Sequence, residues 1–473
     1  MMDTRNSGWR PRRDQSDPAR LVAYDVLRAV HDDGAYANLA LPQILRRAHL
    51  TGRDAAFATN LTYGTLRLRG RWDAIISRCT QGRELAAIDP EVLDILRLGA
   101  HQLLELETPP HAAIYEMVTL TRNELSQNRG GFVNAVLRRV DEKAGQWEEI
   151  LRKSSATRAE FLAMWYSHPR WVVEAFEESL AANGRDATDV QNVLEANNTP
   201  PKVALVPRDV TKRQLRRAMV AEGLPYAQPV LMPNALLLDS GDPHQLHMIQ
   251  TGAAGVQDEG SQLIAAVAAV APIEGPDNLW LDMCAGPGGK TATLASYAAE
   301  RGARIHANEP LQHRLDLVAS AVDPFADIVD LRLGTGESIG AEEPNTYDRV
   351  LLDAPCSGLG SLRRRPESRW TKRPEDTTEL ATLQNRLLAS AFAALRPGGI
   401  LIYSTCTPVL SETRAVIEEF LAQTPDATLV DPEPVATEVA LRPIPSSAGM
   451  IQLWPDTDQS DAMFIAMVSK MAS

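Results

Sequence analysis

One stretch constrains the fold of this chain more than any other: residues 279–291, which read LWLDMCAGPGGKT. An apolar run that contains Asp282 is followed by a turn with three glycines, and a segment of helical composition comes next. The glycines are Gly286, Gly288 and Gly289. A strand, a glycine turn and a helix in this order open a βαβ unit. Glycine lets a ligand approach the backbone closely, and the helix N-terminus offers free N–H groups, so the stretch predicts a cofactor site.

The motif spacing narrows the choice of cofactor. A dinucleotide site needs G-x-G-x-x-G, which the three glycines do not match. A P-loop needs a glycine where this chain has Cys284, although Lys290 fits the end of that motif. A class I methyltransferase needs one acidic residue near the first strand end and a second at the tip of the next strand. Asp282 is the first, and Glu309 follows the predicted strand at residues 304–308. A carboxylate at that tip accepts hydrogen bonds from ribose hydroxyls, so the pattern favours S-adenosylmethionine (SAM).

Length, charge and cysteine content exclude several classes of protein. The chain has 473 residues, which suits two or three domains, and its net charge of −13 argues against general nucleic-acid binding. Its four cysteines include no C-x-x-C pair, so neither a zinc site nor a disulfide framework is predicted. The longest apolar run, residues 263–273, is too short to span a bilayer, so we expect a soluble cytoplasmic protein. Arginine clusters remain candidates for RNA phosphate contacts; they comprise Arg67, Arg69, Arg71, Arg138, Arg139, Arg363, Arg364 and Arg365.

Periodicity predicts three folded regions after a disordered tail at residues 1–17. Residues 18–145 carry apolar positions at helical spacing and predict an all-helical domain, with a helix that starts at Asp17 and Pro18. Residues 146–245 predict a small α+β connecting module with a strand at 203–206. Residues 246–473 alternate strands and helices, which predicts a mainly parallel, Rossmann-like sheet with helices on both faces. Its strands are expected at residues 279–283, 304–308, 349–353, 400–404 and 463–468.

Two further strand ends carry cysteines. One predicted strand is followed by Cys356 in DAPCSG, and another by Cys406 in STCT. Because ligands bind at the carboxyl ends of parallel strands, both thiols are expected beside the cofactor turn. The alternative is that each cysteine is a small buried hydrophobe.

A thiol beside SAM suits methylation at C5 of cytosine, which is a poor nucleophile. A thiolate that adds to C6 makes C5 able to attack a methyl group. Asp353, in the same DAPCSG motif as Cys356, is placed to relieve the charge that develops at ring N3. The residues by themselves leave open which of the two cysteines attacks.

The three motifs at residues 282–291, 353–358 and 404–407 together resemble the Sun (Fmu) family of RNA cytosine-C5 methyltransferases. VQDEGSQ at 256–262 and RRRPESRW at 363–370 extend the resemblance. It implies a Rossmann-like class I methyltransferase domain, Cys406 as the nucleophile and Cys356 as the residue that helps release the product. The implied SAM positions are Cys284, Ala285, Gly286, Pro287, Gly288, Gly289, Lys290, Glu309, Arg314, Thr335 and Asp353.

The first half of the chain extends the resemblance to the RsmB-type branch. Segments 34–45, 52–69 and 134–139 resemble its NusB-like RNA-binding domain, and SHPRWVV at 167–173 resembles its connecting module. The implied partner is 16S ribosomal RNA or a small-subunit assembly intermediate. We expect the protein to be a monomer and to have no membrane partner.

Two departures from the family are visible. The stretch GTGES puts Gly334 or Thr335 where an acidic residue usually contacts the adenine amino group. The family's DGFF is replaced by DAMF at residues 461–464. Two alternative functions are considered. The missing acidic contact would suit an RNA-binding ribosome assembly factor with weak catalysis, and the P-loop-like end of the glycine turn would suit a P-loop ATPase.

Overall fold

The protein is described by a computed structural model that covers residues 15–471, so most of the predicted disordered tail lies outside the described residues. The chain divides into two compact units. Met1–Arg170 with Arg365–Glu367 form the first, and Trp171–Arg364 with Ser368–Ser473 form the second. The domain boundaries expected at 145/146 and 245/246 stay predictions.

The first unit is helical throughout its described part. Its helices are α1 (Pro18–Asp32), α2 (Ala37–Arg47), α3 (Gly52–Arg67), α4 (Arg69–Cys79), α5 (Pro90–Leu104), α6 (Pro110–Glu124), α7 (Gly130–Glu142), α8 (Trp147–Ser154) and α9 (Arg158–Trp165). The start of α1 is the predicted one, because the Asp17 side chain accepts a hydrogen bond from Arg20 N and Pro18 occupies the first turn. Apolar side chains such as Leu27, Leu61 and Leu96 are fully buried, and the predicted all-helical fold of this region is confirmed.

The second unit begins with helices and a small sheet. These elements are α10 (Arg170–Ala182), α11 (Val190–Asn198), β1 (Val203–Pro207), α12 (Lys212–Ala221), β2 (Tyr226–Ala227), β3 (Leu236–Leu238), α13 (His247–Gln250) and β4 (Ala254–Val256). The strand order is β2-β3-β1-β4, and β1 pairs antiparallel with both β3 and β4. The strand expected at 203–206 is therefore present as β1. A core that includes Leu205, Leu215 and Leu236 lies against this sheet.

The rest of the second unit is a larger sheet with its helices. The strands are β5 (Leu279–Asp282), β6 (Arg304–Glu309), β7 (Val329–Leu333), β8 (Tyr347–Asp353), β9 (Leu395–Thr405), β10 (Ala427–Val430), β11 (Ile451–Gln452) and β12 (Phe464–Lys470). The helices are α14 (Glu259–Val270), α15 (Gly289–Arg301), α16 (Gln312–Val322), α17 (Gly336–Glu342), α18 (Ser368–Thr371), α19 (Pro374–Ala394), α20 (Arg414–Gln423), α21 (Glu433–Val439) and α22 (Pro455–Asp458).

The sheet order is β10-β12-β9-β8-β5-β6-β7, with β11 paired to β12. Strands β5 to β9 run parallel, β12 pairs antiparallel with β9, and β10 and β11 each pair antiparallel with β12. The five predicted strands are present, and the mainly parallel Rossmann-like fold is confirmed. Strands β7, β10 and β11 were not predicted. Only Val329 of β7 is buried, so this edge strand lacks a clear apolar run. β10 is only partly buried and β11 is two residues long, so neither gives a clear hydrophobic period.

Two apolar clusters cover the two faces of this sheet. One contains Leu263 of α14 and Ala295 of α15, and the other contains Leu388 of α19 and Ile417 of α20. The helices therefore lie on both faces, as predicted. No helix in the described part of the chain combines the length and apolar character that a membrane crossing requires.

The register brings the functional strand ends together. Asp282 at the end of β5 lies opposite Leu351 of β8, and Asp353 at the end of β8 lies opposite Ser404 of β9. β5 is also the point where the strand order reverses direction, since β6 lies on one side and β8 on the other. Open α/β sheets bind their ligands at such a point, at the carboxyl ends of the strands.

Candidate functional site

The carboxyl group of Asp282 closes strand β5 in a buried environment. Its Oδ2 accepts a 2.7 Å hydrogen bond from Thr291 Oγ1, at the start of α15. Its Oδ1 is buried without a hydrogen-bond partner among residues 15–471. Burial raises the pKa of Asp282 to about 7. A buried acceptor or donor without a partner is costly, so this atom is suited to a polar group of a ligand.

Gly286 lies directly against the end of the neighbouring strand. A Cβ at this position would overlap Glu309 Oε2 and lie 2.9 Å from Arg314 Nε. The Arg314 guanidinium donates from Nη2 to Gly286 O at 2.6 Å, and its Nε is 3.6 Å from Glu309 Oε2. Glu309 is 2% exposed at the tip of β6. The predicted need for glycine at this turn thus has a steric cause, which is the approach of the Glu309 carboxylate.

The other residues of the glycine turn also pack closely against neighbouring elements. Gly288 has φ +100°, a conformation that L side chains rarely adopt, and a Cβ there would lie 2.7 Å from Ala321 Cβ. Ala285 N donates to Asn308 O at 2.9 Å, which ties the turn to β6. Cys284 is a free, half-buried thiol, and burial raises its pKa. Pro287 lies between Gly286 and Gly288 in the same turn.

Asn308 of β6 lies beside the glycine turn, and the sequence did not single it out. Its Nδ2 donates to Met283 O at 3.1 Å and to Gly334 O at 3.0 Å, so one amide links the ends of β5, β6 and β7. β6 also contains Arg304, His306 and Glu309, so the sequence gave no distinct signal for Asn308. Thr335 is exposed at the N-cap of α17, so a hydroxyl lies near the end of β7.

Lys290 and Asp353 form an ion pair at the centre of the site. Lys290 Nζ is 2.8 Å from Asp353 Oδ2, and Ser404 Oγ donates to Asp353 Oδ1 at 3.0 Å. Burial opposes the lysine charge, but the Asp353 carboxylate outweighs it and raises the pKa of Lys290. Lys290 is therefore a charged ammonium group, fixed by Asp353, that lies between the glycine turn and the ends of β8 and β9.

The two cysteines at the ends of β8 and β9 meet. Cys356 Sγ and Cys406 Sγ are 3.3 Å apart, which is hydrogen-bond distance for sulfur. The hydrogen bond from Cys356, together with the Lys290 ammonium, lowers the pKa of Cys406 against the effect of burial. The same hydrogen bond and burial raise the pKa of Cys356. Cys406 is thus the thiol that its surroundings favour as a thiolate, a choice that the residue pattern left open.

A buried carboxyl, Glu412, supports the loop that carries Cys356. Its Oε1 accepts hydrogen bonds from Ser357 N at 2.7 Å and from Gln384 Nε2 at 3.3 Å. Gln384 Nε2 also donates to Pro355 O at 2.8 Å. Burial raises the pKa of Glu412. Gln384 was missed in the sequence, although a glutamine on the apolar face of a long helix is a usable signal for a buried polar contact.

The arginines expected to contact RNA phosphates have different environments. Arg71 donates to Trp165 O and to Glu105 Oε1, both at 2.6 Å, while Arg139 donates to Cys79 O. Arg67 is 7% exposed, and Arg69 lies 3.9 Å from the Asp73 carboxylate.

Arg363 and Arg364 are paired with buried aspartates, which argues against phosphate contacts for these two, although the prediction itself stays untested. A guanidinium already held by internal acceptors has little left to offer a phosphate. Arg138 and Arg365 are exposed, so the prediction stands for these two.

Comparison with known proteins gives two family matches. The sequence model described as 16S rRNA methyltransferase RsmB/F matches residues 268–469, and that of the NusB family matches residues 17–142. A putative methyltransferase of Mycobacterium tuberculosis is 41% identical over 471 residues, 98% of each chain. The probable ribosomal RNA small subunit methyltransferase B of Bacillus subtilis is 30% identical over 468 residues, 95% of this chain and 98% of that protein. The crystal structure of PH0851 has a TM-score of 0.77 at 19% identity, covering 97% of this chain and 100% of that one, which shows a common fold.

Proposed function

The chain belongs to the RsmB/F family of 16S rRNA methyltransferases and carries the NusB domain, and from that premise we propose that it methylates C5 of a cytosine in 16S ribosomal RNA. The observation that carries this proposal is the 3.3 Å contact between Cys356 and Cys406 beside the Lys290–Asp353 ion pair. A thiolate next to a held ammonium suits addition to a pyrimidine ring better than it suits methylation of an exocyclic amine, which requires no nucleophilic cysteine.

SAM, when bound, supplies an electrophilic methyl group to the nucleophile. The residues of the turn fit such a cofactor. The Glu309 carboxylate at the tip of β6 is expected to accept hydrogen bonds from the ribose hydroxyls. Asp282 Oδ1 is a buried acceptor without a partner among the described residues, and Gly289 is the turn glycine with open space beside its backbone, since a Cβ there would meet no atom closer than 4.0 Å. The exposed hydroxyl of Thr335 is the polar side chain available near the adenine position.

In the proposed first step, the Cys406 thiolate forms a bond to C6 of the cytosine. Negative charge then moves into the ring at N3. Asp353, beside Lys290 and Ser404, is placed to face that nitrogen, and it can donate to N3 only after taking a proton, for which the Lys290 ammonium is the adjacent source. The addition makes C5 nucleophilic, so that it could take the methyl group that bound SAM would supply, with S-adenosylhomocysteine as the leaving group.

In the proposed last step, a base removes the C5 proton, the C5–C6 double bond forms again, and the Cys406 thiolate leaves. Cys356 suits this stage because the cause of its raised pKa changes during the reaction. The hydrogen bond to Cys406 is the largest contribution to that shift. When Cys406 is bonded to C6, this hydrogen bond to a thiolate is lost, so Cys356 becomes easier to deprotonate.

The structure bears on the two alternative functions, the assembly factor and the P-loop ATPase. An assembly factor with weak catalysis would bind RNA through the NusB domain without needing a paired thiol and thiolate, so the cysteine contact argues against it. A P-loop ATPase would need its lysine directed to phosphates, whereas Lys290 is engaged with Asp353.

The decisive experiment is to map 5-methylcytosine on 16S rRNA from cells with and without the gene. The purified protein, incubated with labelled SAM, is then given naked 16S rRNA or small-subunit assembly intermediates. We expect one cytosine to lose its mark without the gene and to regain it in vitro. Identical maps, with no label transferred to either substrate, would overturn the proposal.

Glu309→Ala is expected to weaken SAM binding by about 1–3 kcal/mol, because hydrogen bonds to a charged acceptor are lost. The side chain also braces Arg314 against the turn, which adds to the effect. Isothermal calorimetry with SAM measures the change. Glu300→Ala is the matched control, since this exposed glutamate lies near the end of α15 away from the turn. Equal SAM affinity for the parent and Glu309→Ala would remove Glu309 from the site.

A further inference from the structure

Four charged side chains lie beside the cysteine centre and take no part in the steps above. They are Asp258, Arg363, Arg364 and Asp461, here called the buried ion cluster. Arg364 Nη2 is 2.6 Å from Asp258 Oδ1, and Arg364 Nε is 3.2 Å from Asp461 Oδ2. Arg363 Nη2 is 3.6 Å from Asp461 Oδ1 and 3.9 Å from Asp258 Oδ1. Arg364 therefore bridges two carboxylates that would otherwise repel each other.

The cluster is too buried to be an ordinary surface salt bridge. The side chains of Asp258, Asp461 and Arg363 are 7–8% exposed, and that of Arg364 is 26% exposed. Asp258 is also fixed by backbone groups, because its Oδ2 accepts from Gly260 N at 2.9 Å and from Asp461 N at 3.1 Å. Breaking such a buried pair leaves an uncompensated charge, which is strongly unfavourable.

A short backbone relay connects the cluster to Cys406. Ala462 N, next to Asp461, donates to Gly360 O at 2.9 Å. Gly360 N donates to Cys406 O at 2.8 Å. A Cβ on Gly360 would overlap Ala462 O and lie 2.8 Å from Cys406 O. The three backbone segments are therefore closely packed against one another. The position of residue 461 is thus transmitted to the cysteine through two hydrogen bonds.

Asp461 also acts on Cys406 through its charge. The charged or titratable groups facing this thiol are Cys356, Asp353, Lys290 and Asp461. The two carboxylates oppose a thiolate, and the Lys290 ammonium favours it. Burial and the Asp258 carboxylate raise the pKa of Asp461, and Arg364 and Arg363 counter both by stabilising its ionised form. Without these arginines, an ionised Asp461 would oppose a thiolate at Cys406 with no counter-charge beside it.

We propose that Arg364 is a positioning residue of the cysteine centre, which holds the Asp461–Ala462 segment in place and neutralises Asp461 so that Cys406 can exist as a thiolate. This inference rests on the proposed function only in taking Cys406 as the attacking thiol. It also explains why two arginines of a basic run are turned inward instead of facing RNA.

The test is the reactivity of Cys406 toward iodoacetamide as a function of pH, followed by peptide mass spectrometry on the full chain without RNA or SAM. Arg364→Met is expected to move the inflection of this profile upward by about half a pH unit or more, since a carboxylate near the thiol loses its counter-charge. Asp461→Asn is expected to move it downward. The double variant Arg364→Met/Asp461→Asn is expected to return toward the parent profile, and Arg364→Lys is expected to shift it less than Arg364→Met.

Arg365→Met is the matched control, because it removes the same charge from the next, exposed residue outside the cluster. Its profile is expected to match the parent profile. Circular dichroism identifies any variant that fails to fold, in which case Asp461→Asn alone carries the test.

An unchanged inflection in folded Arg364→Met, or an unchanged inflection in Asp461→Asn, would overturn the inference. Since no RNA is present, such a result is distinct from a failure of cytosine methylation itself.

Discussion

Cys406→Ala is expected to reduce methyl transfer by at least about a thousandfold and to form no covalent complex with RNA, because the proposed nucleophile is gone. Cys356→Ala is expected to behave differently. It keeps the attacking thiol and the Lys290–Asp353 pair, so addition to the base and methyl transfer still occur. Release then fails, and the methylated RNA stays bonded to the protein.

A denaturing gel with labelled RNA separates the two variants. A slow-moving protein–RNA band is expected for Cys356→Ala in the presence of SAM and none for Cys406→Ala. Cys79→Ala is the control, since Cys79 is a buried thiol of α4 in the helical unit, and it is expected to retain turnover. The reverse pattern would exchange the roles of the two cysteines. Full activity in both variants would show that the two cysteines serve only in packing, and it would contradict the proposed mechanism.

Gly286→Ala is expected to lower SAM affinity by at least about tenfold, or about 1.4 kcal/mol. The added Cβ would overlap Glu309 Oε2 and press on Arg314 Nε at 2.9 Å, so the carboxylate proposed to hold the ribose must move. Calorimetry with SAM measures the loss.

The comparison variant is Gly289→Ala in the same turn. Its Cβ would meet nothing closer than Gln257 Cδ at 4.0 Å, so its affinity is expected to stay well above that of Gly286→Ala. Equal affinities for the two variants would show that crowding by Glu309 does not control the site.

The pH behaviour of the two thiols can be tested from the same site. The pKa of Cys406 is lowered and that of Cys356 is raised by one shared hydrogen bond. Alkylation of the parent protein at rising pH is therefore expected to label Cys406 first, as read by peptide mass spectrometry. Prior labelling of Cys356 would contradict the choice of nucleophile.

Much of the fold was readable because it depends on local chemistry. The start of α1 follows from an aspartate that caps backbone N–H groups and a proline in the first turn. Strands β5, β8 and β9 contain apolar runs that are buried on both faces. In β6 the apolar Ile305 and Ala307 alternate with polar residues, which is the period of a strand. The mostly exposed β7, the partly buried β10 and the two-residue β11 lack such patterns and were not predicted.

The candidate site was readable to the extent that strand ends converge in a parallel sheet. Asp282, Glu309, Asp353 and Cys406 were placed at one edge by that rule alone. Asn308 and Gln384 were not singled out, because the sequence does not reveal the partner of a buried polar side chain. The pairing of Arg363 and Arg364 with buried aspartates was not foreseen for the same reason, since a run of basic residues looks alike whether it faces solvent or buried acids.

The sequence by itself determined the architecture and the type of site, because glycine turns, helix caps and apolar periods act over a few residues. Only the tertiary structure gives a physical reason why Cys406 is favoured as a thiolate, and only it shows that Arg363 and Arg364 are paired with buried aspartates. Both depend on contacts between residues far apart in the chain, such as Arg364 with Asp258 or Cys356 with Cys406. Electrostatic effects of this kind depend on distance and burial, which no local pattern records.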